Sequence, residues 1–147
     1  MSTEQTTKIP RVVIITGISG AGRRTAAHAV EDLGWYVVDN LPPAMLGALV
    51  DEIAANNIDR LAVVLDVRSR IMFDALGVAV NALDERGIDP AIVFLEASDE
   101  TIVRRQESSR RPLPLQQGGH LLDAVALERR MLSDLRAEAD LVIDTTS

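Results

Sequence analysis

Five short apolar runs rich in Val and Ile recur along the chain, at Arg11–Thr16, Trp35–Val38, Leu61–Asp66, Ala91–Glu96 and Leu141–Asp144. Each is nearly continuous in apolarity rather than alternating, as a strand buried on both faces must be. Longer amphipathic stretches separate them, at Arg23–Leu33, Ala44–Ala55, Phe73–Arg86, Asp99–Arg110 and Leu121–Glu138. Strand–helix alternation of this kind builds right-handed βαβ units into a parallel sheet. The expected fold is therefore α/β, a three-layer structure with a five-stranded parallel sheet and helices on both faces. Ligands on such sheets bind at the carboxyl ends of the strands.

The punctuation agrees with this reading. Gly34 and Gly87 follow the first and third helices as stops, Pro42-Pro43 opens the second, and Ser98 or Asp99 is placed to cap the fourth. A chain of 147 residues suffices for one domain with a core. Only 3% of residues are aromatic, so that core must come from Val, Leu, Ile and Ala. The net charge of -7 opposes non-specific nucleic-acid binding, which needs clustered cations. With no Cys, disulfides and Cys-ligated zinc are excluded, and a reducing cytoplasm fits. No apolar stretch reaches the roughly 20 residues of a membrane helix. Residues 1–10 read as a polar disordered tail and 11–147 as the domain. The Pro/Gly-rich segment Arg111–Gly119 reads as a mobile loop. The sequence stops just after its last strand candidate, an end expected of a domain cut from a longer protein.

Between the first strand and the first helix lies Gly17-Ile18-Ser19-Gly20-Ala21-Gly22. This is the glycine spacing of a phosphate loop, whose full pattern ends in Lys and then Ser or Thr. Glycines let the backbone turn tightly and aim its N–H groups at an anion. The helix N-terminus adds about half a positive charge. Neither device needs a lysine. Arg23 stands at the Lys position and keeps the charge, as a planar fork that can pair with phosphate. Arg24 stands at the magnesium-hydroxyl position, and a guanidinium ligates no metal. Thr25 carries the next hydroxyl, turned by about 100° on the helix. Anion binding is expected to survive these changes better than metal-dependent phosphoryl transfer.

The stretches "TGISGAGRRTAAHAVEDLGWYVVDNLPP", "VVLDVRSR" and "RRQESSRRPLPL" together resemble the RapZ/YvcJ family of bacterial P-loop proteins. The likeness runs in order from about Val12 to Asp144. It implies a P-loop NTPase-like fold, ATP and GTP binding with weak hydrolysis, and a regulatory role as an adapter for RNA degradation in amino-sugar synthesis. It also implies a C-terminal RNA- and ligand-binding domain beyond this chain. By resemblance the triphosphate loop falls on Gly17 through Arg24, and a second nucleotide segment on Asp66-Val67-Arg68-Ser69. The chain departs from the family at the Lys-Ser pair, at Gln106, where an aromatic is typical, and at Leu113, where a His is typical. These departures bear on hydrolysis more than on binding.

Other residues carry competing readings. Asp66 closes an apolar strand beside the loop, where it would hold magnesium or orient the attacking water; otherwise it caps a turn. Arg68 and Arg70 follow at the ligand edge, near phosphate or simply solvated. Asp39-Asn40 reads as an acceptor-binding acid or, preferably, as an Asx turn into Pro42-Pro43. Arg104, Arg105, Arg110 and Arg111 form a cation cluster that would close over phosphates as a lid, or make a solvated face. Glu128-Arg129-Arg130 reads as an exposed salt-bridged stripe. His28 and His120 have no metal-spaced partners and read as incidental.

The sequence thus favours a nucleotide-binding regulatory domain, at most a weak nucleoside-triphosphatase. Its ligand would be ATP or GTP, or a uridine-diphosphate compound, with any Mg2+ held by Thr25 and Asp66. RNA or protein partners would come through the C-terminal domain, with homo-oligomers open and no membrane contact. The rivals are a small-molecule kinase of the shikimate or nucleoside-monophosphate type and a scaffold with a vestigial loop.

Overall fold

A computed structural model describes residues 9–18, 21–67, 69–109 and 121–146, with no side-chain placement for 106–109 and 121. The elements run β1 (Arg11–Gly17), α1 (Arg23–Asp32), β2 (Tyr36–Asp39), a 3-10 turn (Pro43–Met45), α2 (Leu46–Ala55), β3 (Arg60–Val64), α3 (Arg70–Glu85), β4 (Ala91–Glu96), α4 (Asp99–Ser109), α5 (Leu121–Glu138) and β5 (Leu141–Asp144). All strand pairs are parallel, in the order β2-β3-β1-β4-β5. β1 is the central strand. Its registers, Ile14 to Val63 and Ile14 to Ile92, bring aliphatic side chains together layer by layer. Ile14, Leu61, Val63, Phe94 and Leu95 are fully buried. Each contributes about 1.5–3 kcal/mol relative to exposure.

Element boundaries differ from expectation where local chemistry overrides apolar pattern. β3 ends at Val64, so Asp66 lies beyond the strand, although the Leu65 N–H still donates to Ile15 at 2.9 Å. α3 begins at Arg70 rather than Phe73. Ser69 is extended, and its hydroxyl accepts from the Met72 N–H at 3.2 Å, a side-chain cap that starts the helix a turn early. Its first turn carries Ile71, which is 81% exposed and so invisible to an apolar-face reading. The second helix starts as a 3-10 turn because Pro43 has no N–H, and Met45 donates to the Pro42 carbonyl instead. Of the expected tail, residues 1–8 lie outside the described residues, and Pro10 is already buried in the domain. The segment Arg111–Gly119 is also outside them.

Candidate functional site

The chain leaves the central strand at Gly17, where it has almost no room. An ideal Cβ there would sit 2.3 Å from the Leu95 carbonyl oxygen, and φ is +150°. Only glycine fits. Ile18 then donates to the same carbonyl at 3.1 Å and buries its side chain, and Ala21 turns the loop by donating to Ile18 at 3.0 Å. Ser19 and Gly20, expected in the loop, lie outside the described residues. Gly22 closes the loop with φ +91° and serves as the N-cap of α1.

No side chain caps α1, and no acid lies in its first turn. Ala26 makes the first intrahelical bond, to Gly22 at 2.9 Å, so the amides of Arg23, Arg24 and Thr25 precede the helical ladder. Two other helices are treated differently. Ser69 caps α3, while α4 has the Ser98 hydroxyl accepting from Thr101 N–H at 3.2 Å, with Asp99 and Glu100 behind it. Among the described residues, the positive end of α1 therefore has neither a side-chain cap nor a first-turn acid of its own.

Arg23, the first residue of α1, reaches across to the end of β3. Its Nη1 lies 3.1 Å from Asp66 Oδ1 and donates to the Leu65 carbonyl at 3.4 Å. The two side chains are 19% and 20% exposed. Arg24 and Thr25 are exposed. In the second expected segment Val67 is 3% exposed, Ser69 is committed to capping α3, and Arg68 lies outside the described residues. Asp66 thus brings this segment against the phosphate loop itself.

Of the expected lid cations, Arg110 and Arg111 lie outside the described residues and Arg104 is exposed. Arg105 donates to the Thr145 carbonyl at 2.6 Å and to its hydroxyl at 3.2 Å. The Thr145 hydroxyl in turn donates to the Ala21 carbonyl at 2.8 Å. Thr146 Oγ1 accepts from the Ser98 N–H at 2.8 Å. Sequence reading missed Thr145 and Thr146 altogether. Two hydroxyls just past the last strand were the available signal, since carboxyl strand ends form the ligand edge.

Two carboxylates stand at that edge. Glu96 accepts from Arg136 at 2.7 and 3.0 Å, and this bond holds its carboxyl below the usual range against the opposing effect of burial. Asp144 is lowered by the Thr146 hydroxyl and by the Thr146 N–H, which donates at 2.8 Å.

Of the remaining readings, the exposed stripe at Glu128 falls away and the turn at Asp39-Asn40 holds. Arg70 pairs with Asp134 on α5 at 3.1 Å and with Asp74 at 3.4 Å, stacked over Phe73, and its side chain stays 69% exposed. Glu128 is not part of an exposed stripe, being 7% exposed, while its neighbour Arg129 binds Asp99 at 2.7 Å and the Ala97 carbonyl. Packing of α5 turns Glu128 inward. Asp39-Asn40 is a turn, with Asn40 at φ +60° and its N–H donating to Val64 at 2.9 Å. His28 is exposed, 3.8 Å from Glu31. Among the described residues no group of three His, Cys, Asp or Glu could hold a metal ion, and no helix is long and apolar enough to cross a membrane.

A glycine loop between the central strand of this parallel sheet and an uncapped helix end defines a P-loop NTPase-like protein. Solved structures of that class share the fold. A shikimate kinase from Bacteroides thetaiotaomicron aligns with a TM-score of 0.60 at 15% identity, covering 92% of this chain and 86% of that one. The Deinococcus radiodurans tunicamycin resistance protein gives 0.60 at 18% identity, covering 92% and 86%. More specifically, the chain belongs to the RapZ-like N-terminal domain family, which it matches over residues 10–147. It is 99% identical over its whole length to a nucleotide-binding protein of Cutibacterium acnes, and 56% identical over 95% of its length to one of Streptomyces coelicolor. It covers 50% and 47% of those two, so the chain spans about half the length of the curated relatives it matches.

Proposed function

We propose that this domain binds the phosphates of a nucleoside triphosphate, ATP or GTP, as the sensing part of a regulatory protein, with weak or absent hydrolysis. One observation carries the reading. The N-terminus of α1 opens onto the loop with neither side-chain cap nor first-turn acid, and two arginines begin the helix. The amides of Arg23, Arg24 and Thr25, which precede the helical ladder, the helix dipole and two adjacent arginine charges would together suit an anion at this helix end. The names of the curated relatives point the same way, and so does the family.

Hydrolysis needs a metal and a positioned water, and Arg24 replaces the hydroxyl that would hold the metal. Asp66 is the remaining candidate to orient water. By position, Thr25 and Asp66 are the residues that would have to hold any Mg2+. Asp66–Ser69 would border the phosphates, Arg104 and Arg105 with Arg110 and Arg111 would approach from α4, and a uridine-diphosphate ligand would suit the family's link to amino-sugar metabolism. RNA or protein partners, homo-oligomer formation and a place in the bacterial cytoplasm belong to the same proposal. The kinase alternative rests on the fold shared with shikimate kinase, and the missing Lys and hydroxyl oppose it.

Isothermal titration of ATP, GTP and a UDP-sugar, paired with a phosphate-release assay, tests the reading. Micromolar to millimolar binding of at least one, with turnover far below ordinary nucleoside-triphosphatases, is expected. No binding of any of them up to millimolar removes it, and transfer of labelled phosphate to an acceptor would favour the kinase.

A further inference from the structure

We infer that Asp66 acts as the anchor of the phosphate-binding arginine, not as a metal carboxylate, and that this domain therefore takes its nucleotide without a divalent cation. This inference rests on the nucleotide-binding reading and specifies how the site neutralises the phosphates.

Magnesium is what the fold class implies here, and the residues present do not fit it. A metal in such a site needs a hydroxyl at the start of the helix and a carboxylate at the neighbouring strand end. The hydroxyl position is Arg24, and Thr25, one residue on, is exposed. The carboxylate, Asp66, is in contact with the Arg23 guanidinium at 3.1 Å, in a pair about four-fifths removed from water. A dication placed on Asp66 would sit against that guanidinium, with Arg24 on the next residue, in surroundings where like charges are weakly screened.

The same geometry has a positive use. Arg23 keeps the positive charge of the usual lysine, and Arg24 adds one more where the metal-binding hydroxyl would stand. Arginine carries five donors, and Nη1 faces Asp66 and the Leu65 carbonyl, which leaves others for phosphate oxygens. A long flexible side chain loses much rotamer freedom on binding. Held by Asp66 in advance, Arg23 loses less. Asp66 is thus a positioning residue, acting through Arg23.

The test is ATP titration of the wild-type chain with EDTA and with magnesium chloride, repeated for Asp66→Asn, Arg23→Gln and the double variant Arg23→Lys with Arg24→Ser. Wild-type affinity should agree within about threefold between the two conditions, and Asp66→Asn should leave that ratio near one whatever it does to the affinity itself. Arg23→Gln should weaken binding about tenfold or more in EDTA, equivalent to about 1.4 kcal/mol. The double variant restores a hydroxyl and a compact cation and should make binding favour magnesium. A wild-type gain of tenfold or more from magnesium overturns the inference, and loss of that gain in Asp66→Asn would assign Asp66 to the metal. An Arg23→Gln variant that binds as wild type in EDTA also overturns it. Binding in magnesium alone therefore defeats only this inference, whereas no binding in either condition defeats the nucleotide reading beneath it. Circular dichroism melts of each variant separate lost binding from lost folding.

Discussion

At Gly17 a missing Cβ decides whether the first strand can turn into the loop. The Leu95 carbonyl it approaches also accepts the Ile18 N–H, so the close contact and the hydrogen bond depend on each other. Gly17→Ala must relieve a backbone clash and accommodate a positive φ. Strain of about 1–3 kcal/mol from each source follows. A loss of about 3 kcal/mol or more is expected in urea denaturation, with β1 and β4 pushed apart. An unchanged midpoint would show that the loop can relax at this point. Arg23 illustrates the opposite case, a residue whose type was informative but whose partner was not. Its place in the loop pattern marked it for phosphate, yet nothing in the spacing of Arg23 and Asp66 indicated that they would meet at 3.1 Å. That contact exists because α1 begins, and β3 ends, beside the carboxyl end of β1.

Helices and strands at this edge are tied together by arginines, and one such tie is pH-sensitive. Arg136 on α5 holds Glu96 at the end of β4, and its hydrogen bond lowers the Glu96 carboxyl below its ordinary value. A carboxyl lowered by folding contributes stability that is present above the ordinary glutamate range and lost as pH falls through the lowered value. Arg136→Met removes the bond and leaves burial and the nearby Asp144 charge, both of which raise Glu96. The variant should therefore be less stable than wild type near neutrality, and the difference should shrink as pH falls through the lowered Glu96 value. Thermal melts across an acid pH series check this, and coincident profiles for variant and wild type would contradict it. The elements themselves were largely legible. β4, β5 and α5 follow their apolar patterns to the residue, whereas α3 escaped by a turn because its start is set by the Ser69 hydroxyl and not by an apolar face. Glu128 was misread for a related reason: helix spacing says which residues share a face, but not what that face meets.

Across the whole molecule, β5 is an edge strand with one open side. Ile92 lines a groove with Leu76 and Leu135 on the side of the sheet that carries α3 and α5. By strand alternation and the Val93–Leu141 register, Leu141 and Ile143 lie on the opposite side, where they are 52% and 40% exposed. Exposed aliphatics on an unpaired edge favour association with further chains. The chain by itself should gain mass with concentration in sedimentation velocity, and Ile143→Lys should reduce that gain while changing stability by no more than about 0.5 kcal/mol. A wild type that stays monomeric at high concentration would contradict the expectation. Apolar runs alternating with amphipathic helices call for parallel strands, and a glycine-spaced loop after the first of them sits at the carboxyl edge. The sequence by itself therefore determined the class of fold and the place of the glycine loop, because both follow from local pattern and chain connectivity. Tertiary structure alone decided which charges meet there. The Arg23–Asp66 pair, the Arg105–Thr145–Ala21 chain of hydrogen bonds and the exposed side of β5 all arise between residues far apart in the chain. Such meetings depend on how strands order themselves in the sheet, and no local pattern encodes that.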